Sequence, residues 1–142
     1  MAGILIASGQ TWVIDQMASG IAALGGLYVG LMTESSNPSE GSQIGAGITE
    51  LDPTPAGSGY SRQLSASWTA TAGSDPTLSG DAVVFIVSGS WADANGYFVS
   101  LDSSGNNALW AEAFSVAKQG TKTAGDRVTI TPIYEQKYYG EA

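Results

Sequence analysis

The chain has no cysteine and no histidine. Without thiols it can form no disulfide framework, no Cys-ligated zinc site and no thiol nucleophile. Without imidazole it lacks the usual general base, the commonest metal ligand and the side chain that switches near neutral pH. A Ser-His-Asp triad is therefore ruled out. Charge is also scarce: charged residues make up 13% of the sequence, against about 25% in an average soluble domain. What charge there is runs acidic, with 5 Lys plus Arg against 13 Asp plus Glu and a net charge of −8. An acidic chain repels phosphate backbones and anionic membranes, so neither nucleic acid nor a membrane is an expected partner. No apolar run approaches the ~18 residues of a membrane span. The opening "MAGILIASGQ" lacks a basic n-region and a long h-region, so synthesis in the cytoplasm without a signal peptide is expected. These absences point away from an enzyme, and no catalytic, cofactor or metal residue is expected.

Small neutral residues fill the space left by charge, and aromatics reach 9%. Disordered chains combine few aromatics with high charge, so this composition reads as an ordered surface made soluble by hydroxyls and amides. The 142 residues fit one domain spanning 1–142, large enough to bury roughly two thirds of its unfolded surface.

Along the chain, an N-terminal segment 1–11 leads into "QTWVIDQMASGIAAL" (10–24). There Trp12, Val13, Met17, Ile21 and Leu24 recur at helical spacing, and Gly25-Gly26 provide a C-terminal stop. "LYVGLMT" (27–33) reads as a buried strand. Residues 34–59 are rich in Gly, Ser and Pro with no periodicity, and are expected to be a long loop that is mobile or extended over a partner. Further strands are expected at 60–68, where Leu64, Ala66 and Trp68 alternate, and at "AVVFIV" (82–87), an unbroken run typical of a strand covered on both faces. "GYFVSLD" (96–102) and "NALWAEAF" (107–114) flank a Ser-Ser-Gly-Asn-Asn turn and read as a hairpin. "DRVTITPIYE" (126–135) closes the series, with Pro132 marking an edge or bulge. The expected fold is all-β, an antiparallel, jelly-roll-like β-sandwich over 12–135 with one short N-terminal helix, followed by a tail 136–142.

Three features could carry chemistry. Asp93, Asn95 and Gly96 suggest a calcium loop, but the glycine comes too early and Ser104 stands where a closing Glu is needed, so a tight turn is expected. Glu112 and Asp102 could serve a glycan hydrolase only if they met as a pair. Trp91, in "SGSWADANG", is the aromatic best placed for exposure and the best contact for a sugar. Arg62, the only basic residue before Lys118, is expected to pair with an acid.

The order of these pieces resembles a group of small tailed-bacteriophage virion proteins. They share a short N-terminal helix, a "YVGLFT"-like strand, a loop leading to "ITEL…GYxRQ", a "W" strand, a "GYF" hairpin running into "LLWAExF", and a final "GDxVTVTP". Here the counterparts are "LYVGLMT" (27–33), "ITELDPTPAGSGYSRQ" (48–63), "SW" (67–68), "GYFVSLDSSGNNALWAEAF" (96–114) and "GDRVTITP" (125–132), covering most of 12–133. Met32 replaces the usual aromatic, and the 34–59 loop is long. Such proteins are described as head decoration, tail fibre or virion structural proteins. The resemblance implies a capsid decoration (cement) protein in the virion, bound to the major capsid protein and to copies of itself as a trimer or dimer. The alternative is a tail or fibre module that reads a host glycan. Partner contacts are expected at Ile44, Ile48, Leu51, Pro53 and Pro55 in the loop, at Trp91, and at Tyr138 and Tyr139 in the tail.

Overall fold

The computed structural model describes residues 6–52, 59–73, 75–91 and 93–136. The protein is mostly β, with one helix and several antiparallel sheets. Its elements are α1 (Ala7–Leu24), β1 (Leu27–Met32), β2 (Gln43–Ile44), β3 (Gly47–Ile48), β4 (Gln63–Ser65), β5 (Trp68–Thr71), β6 (Thr77–Gly80), β7 (Val83–Ile86), β8 (Gly96–Ser100), β9 (Ala108–Ala113), β10 (Arg127–Ile130) and β11 (Ile133–Glu135), with a 3-10 turn at Val116–Lys118. The chain gathers into two compact units. One holds the described residues up to Gly26, Ser65–Asp81 and those from Thr131 onward; the other holds Leu27–Leu64 and Ala82–Ile130.

In the first unit, α1 accompanies a three-stranded antiparallel sheet in the order β11-β6-β5. The helix ends where the glycines place it. Gly25 adopts φ 80°, its N–H donates to the Ala22 carbonyl, and the Gly26 N–H donates to the Ile21 carbonyl. Those two bonds form a Schellman cap, which satisfies carbonyls that the helix end would leave open. The buried stripe is Gln10, Ile14 and Ile21, whereas Trp12 and Leu24 are 63% and 64% exposed. The expected core face is thus rotated. Alanine, serine and glycine surround the few large side chains, so the pattern left two apolar stripes open, and packing selected the one through Ile14. β6 lies in "DPTLSGD", a stretch that carries no strand pattern. It is held instead by pairing with β5 on one side and β11 on the other.

The second unit is built on a four-stranded sheet in the order β4-β1-β8-β9. β1 and β8 are its central strands, which explains why both read as continuous apolar runs: every residue of β8 is buried, and all of β1 except Tyr28. They pair antiparallel, with Gly30 opposite Phe98 and Met32 opposite Gly96. β8 and β9 form the expected hairpin, with an extra residue in β9 between the Val99–Trp110 and Ser100–Ala108 pairs. One face of the sheet carries Met32 and Phe98, covered by Ile44 and Ile48 and flanked by Ala108, Ala111 and Ala113.

The 34–59 segment is therefore not structureless over its described part. β2 and β3 form a short parallel ladder, and Glu34 accepts the Thr49 N–H with both carboxylate oxygens, at 2.8 and 2.9 Å. β7 pairs with β10 in a separate two-stranded sheet. Val83 and Phe85 face inward, but Val84 and Ile86 are 40% and 57% exposed, so this strand is covered on one face and not on both. The expected strand at 126–135 breaks at Thr131-Pro132, where Pro cannot donate to a ladder, and its halves β10 and β11 join different sheets. The expected strand at 60–68 likewise divides into β4 and β5.

Candidate functional site: an arginine clamp and a groove at the sheet edge

Glu50, Tyr60 and Arg62 converge from either end of the segment that links β3 to β4. The Arg62 side chain is only 3% exposed. Its guanidinium is bidentate on Glu50, Nε to Oε1 at 2.8 Å and Nη2 to Oε2 at 2.6 Å. The remaining donors turn to the β8–β9 hairpin tip: Nη1 to the Asp102 carbonyl at 2.9 Å and Nη2 to the Gly105 carbonyl at 2.7 Å. The guanidinium carbon stands 5.0 Å from the centre of the Phe98 ring, within cation–π range.

A buried guanidinium is costly unless its charge and donors are all met, and the planar fork meets them here. The bond from Glu50 holds the Arg62 pKa above its ordinary value. Tyr60 extends the network. Its hydroxyl donates to Glu50 Oε1 at 2.8 Å and accepts the Leu31 N–H at 2.9 Å, tying the clamp to β1. Its ring stacks on Phe85 and meets Trp91 edge-on, both at 5.9 Å. Burial, reinforced by the Glu50 carboxylate, raises the Tyr60 pKa well above that of a free phenol.

The expected pairing of Arg62 with an acid is present, with Glu50 as the partner. Glu50 and Tyr60 were not singled out beforehand. They stand in "ITEL" and "GYSRQ", the quoted stretches that could have marked them, but the spacing of about a dozen residues carries no helix or strand period.

The second feature lies at the open edge of the same sheet. A groove of about 340 Å³ separates residues 38–43 from Ala108–Ala111 of β9, with Ile48 at its base. Just beyond it the Ala113 N–H donates to Asn37 Oδ1 at 2.8 Å, so a side chain stands where a neighbouring strand would be.

The residues expected to meet partners fall out differently. Trp91 is 1% exposed, because its backbone pairs with Lys122 and its ring packs on Tyr60, so it presents no surface to a sugar. Ile44, Ile48 and Leu51 are 7%, 3% and 1% exposed: the loop residues cover the sheet instead of reaching outward. Pro53, Pro55, Tyr138 and Tyr139 lie outside the described residues.

Glu112 accepts the Tyr97 hydroxyl at 3.0 Å, while Asp102 accepts from Asn107 Nδ2 at 2.8 Å. The ladder from Tyr97 to Ser100 lies between them. Each carboxylate is engaged with its own partner, and no bond joins the two. Asn95 is a buried cross-link and not a turn residue: its Nδ2 donates to the Thr33 carbonyl and its Oδ1 accepts from the Gly120 N–H. Among the described residues no helix is long and apolar enough to cross a membrane. Neither the known protein families, nor characterised proteins, nor solved structures match this chain.

Proposed function

We propose that this chain is a bacteriophage capsid decoration protein, which binds the assembled head shell and stiffens it by non-covalent contacts. The observation that carries the proposal is how the polar groups are spent. The partly buried ion pair Arg62–Glu50 turns the remaining Arg62 donors to the hairpin tip and leaves none of them for a substrate. Rigid presentation of a hairpin by a core clamp suits a protein that works by shape. Exposed Val84 and Ile86 on the β7–β10 sheet, in a chain with few charges, suit close packing against another protein. In that role the sheets would be layers of a jelly-roll-like β-sandwich, and copies would gather as trimers or dimers on capsid symmetry axes. Burial of Trp91 takes away one of the contacts that the glycan-reading form of the tail or fibre alternative counted on.

Quantitative mass spectrometry of purified particles tests the proposal. One copy per major capsid subunit, or a simple fraction of that, is expected. A copy number matching a tail assembly, or absence from the particle, overturns it.

A further inference from the structure

We infer that the groove beside β9 is a docking slot for an extended, Lys- or Arg-bearing segment of another protein chain, which would add to the sheet as a fifth strand. The inference concerns the groove itself and holds whether or not the protein sits on a capsid.

β9 is the last strand of its sheet, and among the described residues no strand pairs with its outer edge. The Ala113 N–H, bonded to Asn37, points away from β8. Strand alternation gives the Ala111 N–H, two residues back, the same direction, and there it opens into the groove. Asn37 thus fills one rung of the missing ladder and the groove leaves the next one, at Ala111, open. Ala108–Ala111 spans about 10 Å at ~3.4 Å per residue, room for about three residues of extended chain.

The base and walls select what those residues are. Ile48, Ala108 and Ala111 belong to or flank the apolar cluster under Phe98, and the alanine methyls leave a shallow floor that suits a small inward side chain. Ser39, Ser42 and Gln43 line the opposite wall and offer hydroxyl and amide partners. Glu40 stands exposed on that wall, and no Lys or Arg lines the groove. With a net charge of −8 behind it, the Glu40 carboxylate favours a cationic side chain at the end of the added segment. Main-chain pairing would supply affinity and the carboxylate would supply orientation, the usual division in strand addition.

The test uses the full chain and a random heptapeptide library. Selected peptides are expected to carry Lys or Arg, and to shift the amide resonances of Ser39–Gln43 and Ala108–Ala111. Ala111→Pro deletes the outward N–H at an edge position where Pro is tolerated, and is expected to abolish binding. Glu40→Lys, at an exposed site, is expected to weaken binding by about fivefold. Should Ala111→Pro fail to fold, backbone N-methylation of the selected peptide supplies the same loss on the unaltered protein. Enrichment of no peptide, or binding unaffected by N-methylation and by Glu40→Lys, overturns the proposal. Sedimentation showing dimers that Glu40→Lys or Ala111→Pro dissociates also overturns it, by assigning the slot to a second copy.

Discussion

The ring of Phe98 lies flat against Gly30, so close that a methyl group on Gly30 would overlap the ring carbons. The two residues face each other across the β1–β8 pair. The glycine in "LYVGLMT" is therefore a seat for an aromatic ring and not a turn residue. Above the same ring stands the Arg62 guanidinium, so Gly30, Phe98 and Arg62 form one stack through the sheet face.

Gly30→Ala is expected to destabilise the fold by about 2–3 kcal/mol, as overpacking of a tight core does. Phe98→Ala, which empties the site, is expected to cost about 3–5 kcal/mol. In the double variant the added methyl has space, so the two effects should fall well short of adding. Urea midpoints of the four proteins measure this. Simple additivity would mean that ring and glycine are not in contact.

Arg62→Lys keeps the charge and loses the fork. A lysine cannot be bidentate on Glu50 while also reaching the Asp102 and Gly105 carbonyls. A loss of about 2–4 kcal/mol is expected, since a half-buried carboxylate loses its bidentate partner and two carbonyls lose their donors. Hydrogen exchange should accelerate at the 102–107 tip more than in β8 itself. Equal acceleration throughout would show that Arg62 supports the sheet without any special hold on the hairpin.

The parts legible in the sequence are those fixed by local chemistry. Gly25 had to end the helix because only a glycine enters the left-handed cap cheaply. Arg62, nearly alone as a cation, had to find a carboxylate. The hairpin turn was written in Ser-Ser-Gly-Asn-Asn. What misled was whatever depends on the covering layer. "AVVFIV" looks the same whether one face or two are covered, yet Val84 and Ile86 are open to solvent. Trp91 sits among turn residues, but burial is decided by Tyr60, which is distant in sequence. Ile44 and Ile48 looked like loop decoration, and become core because the loop folds over Met32 and Phe98. The groove was not legible at all, because it is formed by two segments that pattern does not connect.

The raised pKa of Tyr60 has a consequence at high pH. A phenol whose folded pKa lies above its unfolded value of about 10 contributes stability that is complete below that pH and is lost as the pH rises further, because the unfolded chain ionises first. Tyr60 should therefore give stability no pH dependence near neutrality and a steep fall beyond pH ~10. Tyr60→Phe should lower stability at pH 7 by about 1–3 kcal/mol, through the lost bonds to Glu50 and Leu31. It should also flatten the alkaline slope. Urea unfolding across the alkaline range reads both, and an unchanged slope in the variant would place Tyr60 in contact with solvent.

Two neighbouring positions of α1 test which helix face is core. Trp12 is large and apolar, and pattern alone would make it the anchor, yet it is 63% exposed while Ile14 is 1% exposed. Trp12→Gln should change stability by no more than about 0.5 kcal/mol, as surface changes do. Ile14→Ala should cost about 2–5 kcal/mol, from lost transfer energy and the cavity left behind. Fluorescence separates the tryptophans without mutating the core. Acrylamide should quench the emission that Trp12→Gln removes far more readily than the emission that remains from buried Trp91 and half-buried Trp68 and Trp110. If Trp12→Gln unfolds the protein and Ile14→Ala does not, the helix packs through the stripe that the sequence suggested and Ile14 faces solvent.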